Sequence, residues 1–450
     1  MNIVTASDPK YPVSVPLDVL LLLVLVPAQV HAHGISFLLV IPLFFYILLE
    51  LWHPLALRNL SYQSSRQDRL AFMARFFLLL LMVSSAVIVP SLRGIFGRLT
   101  ATYDETGYSE AYANIHDGAI QVEYALEFLS SGRNPYEETY EDTPLVYYGF
   151  SGIDLSVNPA INHFVYLPGF LIISFPVYKM FAQFNLPYDQ RWIYLAAFIA
   201  LILILPTIVS QPTQKLALLA AIGLNPLVTG PVILGMNDVI IILLIFLTAL
   251  SLSKQKILLS AIFLGIACTF KQSAWFILPF YALFIYNFSA PTRRMQELFK
   301  VSLIIALIMI IGLLPFVAWN PSSFIEDVFT YPSGGVDINY PIRGYTIGVL
   351  LLGAGIIASP LDDFPFSALQ LIFGLPLLVF TLRYQQRYNL IGVMLLCAGV
   401  FIWGIGLVSR FFQNNYVGFV IMLITMGLFI AMSENPPIGQ SGVDSIVADR

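Results

Sequence analysis

Asp117 stands in the run His116-Asp117-Gly118, directly ahead of a segment with helical periodicity. A carboxylate on the aqueous rim of a membrane cavity can take the proton of an acceptor hydroxyl as a general base. Asp is also among the best N-caps for the free amides of a helix start, so both roles are open to it. Upstream, Asp104 and Glu105 form a second acidic pair that reads either as a solvated face or as a catalytic or metal-holding one. His163 and Tyr166 lie in HFVYLPG, where the histidine could meet a phosphate or the pair could anchor the chain at an interface. Lys271-Gln272 splits a long apolar run, and an ionisable residue there is costly enough to mark a functional cavity unless it reaches the surface. Arg343 and Arg410 offer the paired donors that suit a phosphodiester, or else fix helix ends. Asn237-Asp238 closes an interrupted helix and could line a substrate site or cap the helix that follows.

The elements that must position these residues are set by composition. Hydrophobic residues make up 58% of the 450, charged residues 11%, and the mean hydropathy is +0.81, whereas soluble domains carry about 25% charged residues. Apolar runs of span length recur along the whole chain, which predicts an all-α polytopic membrane protein with about 11–13 transmembrane helices. A barrel of alternating strands is excluded. The net charge of −4 comes from loops and no basic stripe exists, so nucleic acid is not a partner. Cys268 and Cys397 sit in apolar runs as small hydrophobes. The first apolar run has neither a basic n-region nor a small-residue cleavage site and is expected to stay as a span.

Polar punctuation organises the chain into one domain over 1–435, with a disordered tail over 436–450. Arg58, Arg66 and Arg69 put the loop before the third span on the cytoplasmic side. The loop over 91–163 is then outside, and from Arg93 to Asp154 it carries eleven acids against three arginines. Within it, Ile120, Tyr124 and Phe128 recur at helical spacing, which predicts an amphipathic juxtamembrane helix on the membrane surface, ended at Gly132. Spans are expected near 164–184 and 192–210, with the Lys179 to Arg191 turn inside. Asn225-Pro226 and Gly230-Pro231 break the next run, read as a half-span over 216–236 that closes the topology count. A second outer loop covers 320–344, and the short apolar piece 345–358 reads as interfacial.

The order of these features resembles the GT-C superfamily of polytopic glycosyltransferases. The residues that carry the likeness are HDGAIQVEYALEFLSSGRNPY, HFVYLPG, LNP followed by GMND, and GIACTFKQSAWFILP, within Thr100 to Pro321. The branch it looks most like uses polyprenyl-phosphate-mannose. The resemblance implies inverting transfer of a hexose from a polyprenyl-phosphate donor to a lipid, glycan or protein acceptor at the outer face of the cell membrane. By position the family's loop acid matches Asp117, with Asp104 as the other acid that could fill the place, and its lysine matches Lys271. The remaining expected substrate contacts are Glu105, His163, Tyr166, Asn237, Asp238, Gln272, Arg343 and Arg410. No cofactor is implied, and the need for a divalent metal stays open. A secondary transporter and a membrane protein that binds lipid-linked glycan without reacting are the rival classes.

Overall fold

The computed structural model describes residues 16–33, 36–53, 66–102, 109, 112, 114–149 and 158–434. Asp104, Glu105 and the tail over 436–450 lie outside the described residues. Helices occupy the apolar runs. α1 (Leu17–His33) and α2 (Ser36–Trp52) form a hairpin, and α3 (Arg66–Leu99) is one long helix with a π turn at Ser84–Ile88. α4 (Asp117–Ser130) and α5 (Gly169–Gln183) precede α6 (Arg191–Ile204). α7 (Pro212–Gly223) and α8 (Pro226–Leu234) are bent by 51° at Asn225. α9 (Asp238–Ser253), α10 (Ile257–Cys268) and α11 (Leu278–Phe288) follow, then the long α12 (Arg294–Trp319) and the short α13 (Pro321–Ile325). α14 (Ile347–Gly353), α15 (Phe366–Arg387), α16 (Ile391–Leu407) and α17 (Asn414–Glu434) complete the chain. Among the described residues five helices are long and apolar enough to cross a bilayer, or six if the bent pair counts as one span. The protein is an all-α membrane protein.

The breaks have local causes. Asn225 Oδ1 accepts the Leu227 amide and Pro226 opens α8, so the chain restarts a helix where α7 stops. Gly132 and Gly235 take left-handed φ values of 74° and 86° after α4 and α8. α16 and α17 approach so closely that a Cβ on Gly392 would lie 2.2 Å from the Ala431 backbone nitrogen. Glu434, at the end of α17, accepts the Ile391 and Gly392 amides at the start of α16. Such hydrogen bonds between helix termini identify which of them share a level.

Those ties revise the expected topology twice. α17 rises about 31 Å over its length; its start holds Asp238 through Asn415, and its end holds Ser210 through Ser433. The bent α7–α8 pair runs between the same two levels, from just after Ser210 to Leu234, whose carbonyl takes the His116 amide. The bent pair thus reaches from one of these levels to the other, where the sequence predicted a half-span. α5, expected as a span, does not run between these two levels. Lys179 near its end bonds Ser130 of α4, and the Gln190 amide just beyond it bonds Glu123 of α4, while the start of α5 adjoins Tyr166 beside Gly118. Both ends of α5 thus lie along one helix, α4, at the end of the bundle where Arg98 terminates α3. The turn between Lys179 and Arg191 therefore shares a face with the acidic loop and is not on the opposite side. α5 exposes Ile172, Ile173 and Met180, as an interfacial helix does.

α4 is also more buried than an amphipathic surface helix. Ala119, Ile120, Val122, Ala125 and Leu126 are inside, and Glu123 is buried with them. The placement of α5 is testable by labelling single cysteines from one side of a sealed membrane. Lys179→Cys is expected to react with an impermeant maleimide from the same side as Asp142→Cys, and Lys254→Cys from the other. Reaction of Lys179→Cys together with Lys254→Cys would restore α5 as a crossing helix.

Candidate functional site

α4, the ends of α8 and α10, and the chain around 340–343 and 409–416 enclose a cavity of about 740 Å³. Asp117, Tyr166, Asn237, Lys271, Gln272, Arg343 and Arg410 all line it, although they are spread over most of the chain. A volume of this size holds a small-molecule ligand with a few convergent polar groups.

Asp117 is the first residue of α4, and His116 rather than Asp117 occupies the N-cap position. The Gly118 amide is shared between Asp117 Oδ1 at 2.7 Å and His116 Nδ1 at 3.0 Å. The ring nitrogen lies 2.9 Å from the same carboxylate oxygen; when Nδ1 carries the proton it donates there and the Gly118 amide belongs to Asp117 alone. Asn158 donates to Asp117 Oδ2 at 3.1 Å and is itself fixed by accepting the Ala160 amide. Burial works against the charge on Asp117, but the His116 ring, the Gly118 amide and Asn158 outweigh it and hold the carboxyl down at about 2. Its side chain stays 28% exposed, so the ionised carboxylate is reachable from the cavity.

Tyr166 packs its phenol against Gly118, where a Cβ would come within 1.9 Å of the oxygen. Glycine at this position lets the tyrosine close the wall beside the carboxylate. Across the site, Lys271 Nζ is 2.6 Å from Asp238 Oδ1 and 4.4 Å from the centre of the Tyr416 ring. Asn415 donates to the other oxygen of Asp238, and Asn237 Oδ1 is 3.4 Å from the ammonium. Asp238 does not line the cavity; it is the counter-ion behind Lys271. Gln272 lines the cavity while donating to the Val328 carbonyl.

Three further expected roles change. Lys271 is not an isolated cation, because a buried ammonium needs a partner and Asp238 supplies it. Arg410 directs its guanidinium to the carbonyls of Tyr340, Pro360 and Asp362, so it staples the chain at the cavity edge instead of presenting a fork to a phosphate. His163 does not line the cavity. Its Nδ1 is 2.8 Å from Asp327 Oδ1, its ring stacks on Tyr331, and Asp327 Oδ2 accepts the Phe164 amide. This dyad joins the two large loops. Arg343 lies in β1 (Arg343–Gly344), paired in parallel with β2 (Phe411–Phe412).

Sequence reasoning missed His116, Asn158 and Asp327, and it missed the buried set Arg98, Glu123, Asp189 and Arg191. Arg98 grips Glu123 at 2.8 and 2.5 Å and Asp189 at 3.0 Å, and Arg191 holds Asp189 and the carbonyls of Gly94 and Asn114. The available signal was the run Tyr188-Asp189-Gln190-Arg191, whose opposite charges frame a helix start. No metal-holding group of three or more His, Cys, Asp or Glu is found among the described residues. Comparison with known proteins returns no match: no family model fits the chain, and no characterised protein or solved structure is similar to it.

Two outcomes follow from this geometry. Gly118→Ala is expected to destabilise the protein by about 1–3 kcal/mol through overpacking against Tyr166, and adding Tyr166→Phe should recover part of the lost melting temperature. An unchanged melting temperature in the single variant would contradict the close approach. The second concerns acid stability. The folded value of Asp117 lies below the ordinary one of about 3.9. Its contribution is therefore complete above that pH and is lost as pH falls towards about 2. The melting-temperature gap between wild type and Asp117→Asn should accordingly narrow below about pH 4. A gap that stays constant on acidification would show that Asp117 is not held ionised by its neighbours.

Proposed function

We propose that this protein is a membrane glycosyltransferase that moves a hexose, mannose being the first candidate, from a polyprenyl-phosphate donor to a hydroxyl acceptor. The observation that carries this reading is the convergence of an ionised, partly exposed Asp117 with Lys271, Gln272, Asn237 and Arg343 around one cavity at the end of a membrane bundle. Reaction at such a place needs a base on the aqueous side, polar donors for a phosphate, and apolar walls for a lipid. The cavity has all three, the last from Phe276, Phe366, Ile402 and Ile405.

In the proposed reaction the acceptor oxygen forms a bond to the anomeric carbon while the bond from that carbon to the phosphate oxygen breaks. The electron pair leaves with the polyprenyl phosphate, and the configuration inverts. Asp117 first accepts a hydrogen bond from the acceptor hydroxyl. A carboxylate of such low basicity takes the proton late, when bond formation has made the hydroxyl strongly acidic. Charge building on the phosphate is met by Lys271 and by the amides of Asn237 and Gln272, groups fixed before the reaction begins. The acceptor is a lipid, a glycan or a protein side chain, and no metal enters the reaction as written.

The same reading extends to topology. α1, α2, α3, α6, the α7–α8 pair, α9 to α12 and α15 to α17 are proposed as crossings, about twelve in all. Lys254, Lys256, Arg293, Arg294, Arg383 and Arg387 then fall together at the end away from the cavity. The positive-inside tendency makes that end cytoplasmic and turns the cavity to the outer face of the cell membrane.

The test is sugar transfer by purified protein in lipid, offered polyprenyl-phospho-mannose and alternative polyprenyl-phospho-sugars with total membrane glycolipid as acceptor. Asp117→Asn should slow release of polyprenyl phosphate by about 10²–10⁴-fold with the protein still folded. Transfer that survives this change but is lost in Asp104→Asn would move the base to Asp104. No transfer with any donor, beside substrate-driven uptake in proteoliposomes, would replace the transferase with a secondary transporter.

A further inference from the structure

Between β1 and α15 the chain makes a closed excursion whose base and tip differ in chemistry. At the base the Ile342 amide donates to the Pro360 carbonyl at 2.8 Å. Arg410 adds bonds to the carbonyls of Pro360 and Asp362, and Asn339 donates to the Leu361 carbonyl and to Asp363. The tip is α14 and the turn after it, and no charged residue occurs between Arg343 and Asp362. One face of the tip packs inward, with Leu351 and Leu352 against the small cluster of Ile342, Ile357 and Phe366. The other face is bare: Leu350 is 72% exposed, Ile356 67% and Tyr345 57%.

We infer that this hairpin dips into the lipid leaflet at the cavity end of the bundle, with α14 seated among the acyl chains. α14 has seven residues and rises only about 10 Å, so it cannot cross the roughly 30 Å core and must return on the same side. The return is built in. Gly355 takes a left-handed φ of 72°, and the Ala354, Gly355 and Ile356 amides bond back to Leu350, Leu352 and Leu351. A backbone entering hydrocarbon must satisfy its own polar groups, and this turn pairs its amides from Ala354 to Ile357 internally. The occupant is lipid and not a second copy of the chain because the bare face is continuous with a lipid-facing surface. Phe366 and Leu369, on which the hairpin packs, open α15, and the next turn of that span exposes Leu371, Ile372 and Phe373.

The consequence reaches the site. Arg343 at one foot of the hairpin and Phe366, Ser367 and Gln370 at the other all line the cavity. A hairpin seated in the leaflet sets that side of the cavity at the level of the lipid headgroups, where a lipid-borne ligand enters sideways. The seating stands independently of the proposed transferase activity.

The test uses bimane on Leu350→Cys and, separately, on Ile356→Cys in nanodiscs, with the unlabelled background set by the buried Cys268 and Cys397. Ile372→Cys on α15 serves as the lipid-facing control and Asp142→Cys as the aqueous one. Quenching by brominated phosphatidylcholine comparable to Ile372→Cys, with iodide quenching several-fold below Asp142→Cys, is the expected result. Iodide quenching equal to Asp142→Cys without bromolipid quenching would overturn the inference. Shielding from both quenchers, with the unlabelled Leu350→Cys and Ile356→Cys proteins forming disulfides between copies under an added oxidant, would overturn it in favour of a chain-to-chain contact.

Discussion

The site rests on four charges buried where the loops meet the bundle. Arg98 and Arg191 face Glu123 and Asp189, so two positive and two negative groups cancel in a region of low water content. Taking such groups from water is costly, and the cost is offset only when each finds close partners. Arg191 does more than neutralise Asp189, since its Nη1 and Nη2 also hold the carbonyls of Asn114 and Gly94. Asn114 is two residues before His116, and Gly94 is about one and a half turns from the end of α3. The network therefore fixes the approach of the chain to Asp117 relative to the longest helix in the molecule. Replacing the whole set with apolar side chains could leave stability intact, but the register that places Asp117 at the cavity would lose its anchor.

Charge is managed differently inside the cavity. Composition suggested three cations ready for an anion, yet Lys271 is shared with Asp238 and Arg410 is committed to backbone carbonyls. The Lys271 ammonium is held between a carboxylate and the Tyr416 ring, and an incoming phosphate would have to share it with Asp238. Amide dipoles, from Asn237 and Gln272, then matter as much as net charge. They add no like-charge repulsion and need no counter-ion of their own.

Much of the architecture was legible because lipid imposes a simple rule: apolar runs become helices, and polar punctuation ends them. The helix over 117–130, its stop at Gly132, the break at Asn225-Pro226 and the split at Lys271-Gln272 all follow from local residues. α5 was misread for a physical reason. Its sequence GFLIISFPVYKMFAQ is as apolar as a span, and composition cannot distinguish a helix lying in the interface from one passing through it. What decides the matter is the pairing of Lys179 with Ser130 and of Gln190 with Glu123, contacts between residues far apart in the chain. The same limit applies at the site. Asp117, Tyr166, Asn237, Asp238, Lys271, Gln272, Arg343 and Arg410 could be named from residue type and surroundings, but the pairing of Asp238 with Lys271 and the roles of Asn158 and Asp327 carry no local mark.

The cavity itself follows from helix length. α9, α10 and α11 have 16, 12 and 11 residues, so their rises of about 24, 18 and 17 Å fall short of the roughly 30 Å of hydrocarbon. Their polar starts and ends therefore sit below the level reached by α3 and α12. Irregular backbone at such depth survives only where protein or water covers it. Here Asn237 and Asp238 at the start of α9 and Lys271 after α10 meet one another across the shortfall, and the cavity opens above them. A lysine at that depth would be untenable alone, and the first residue of the neighbouring short helix is an aspartate within hydrogen-bond reach. Short helices thus create the space, and the charges needed to line it force their own partners into place.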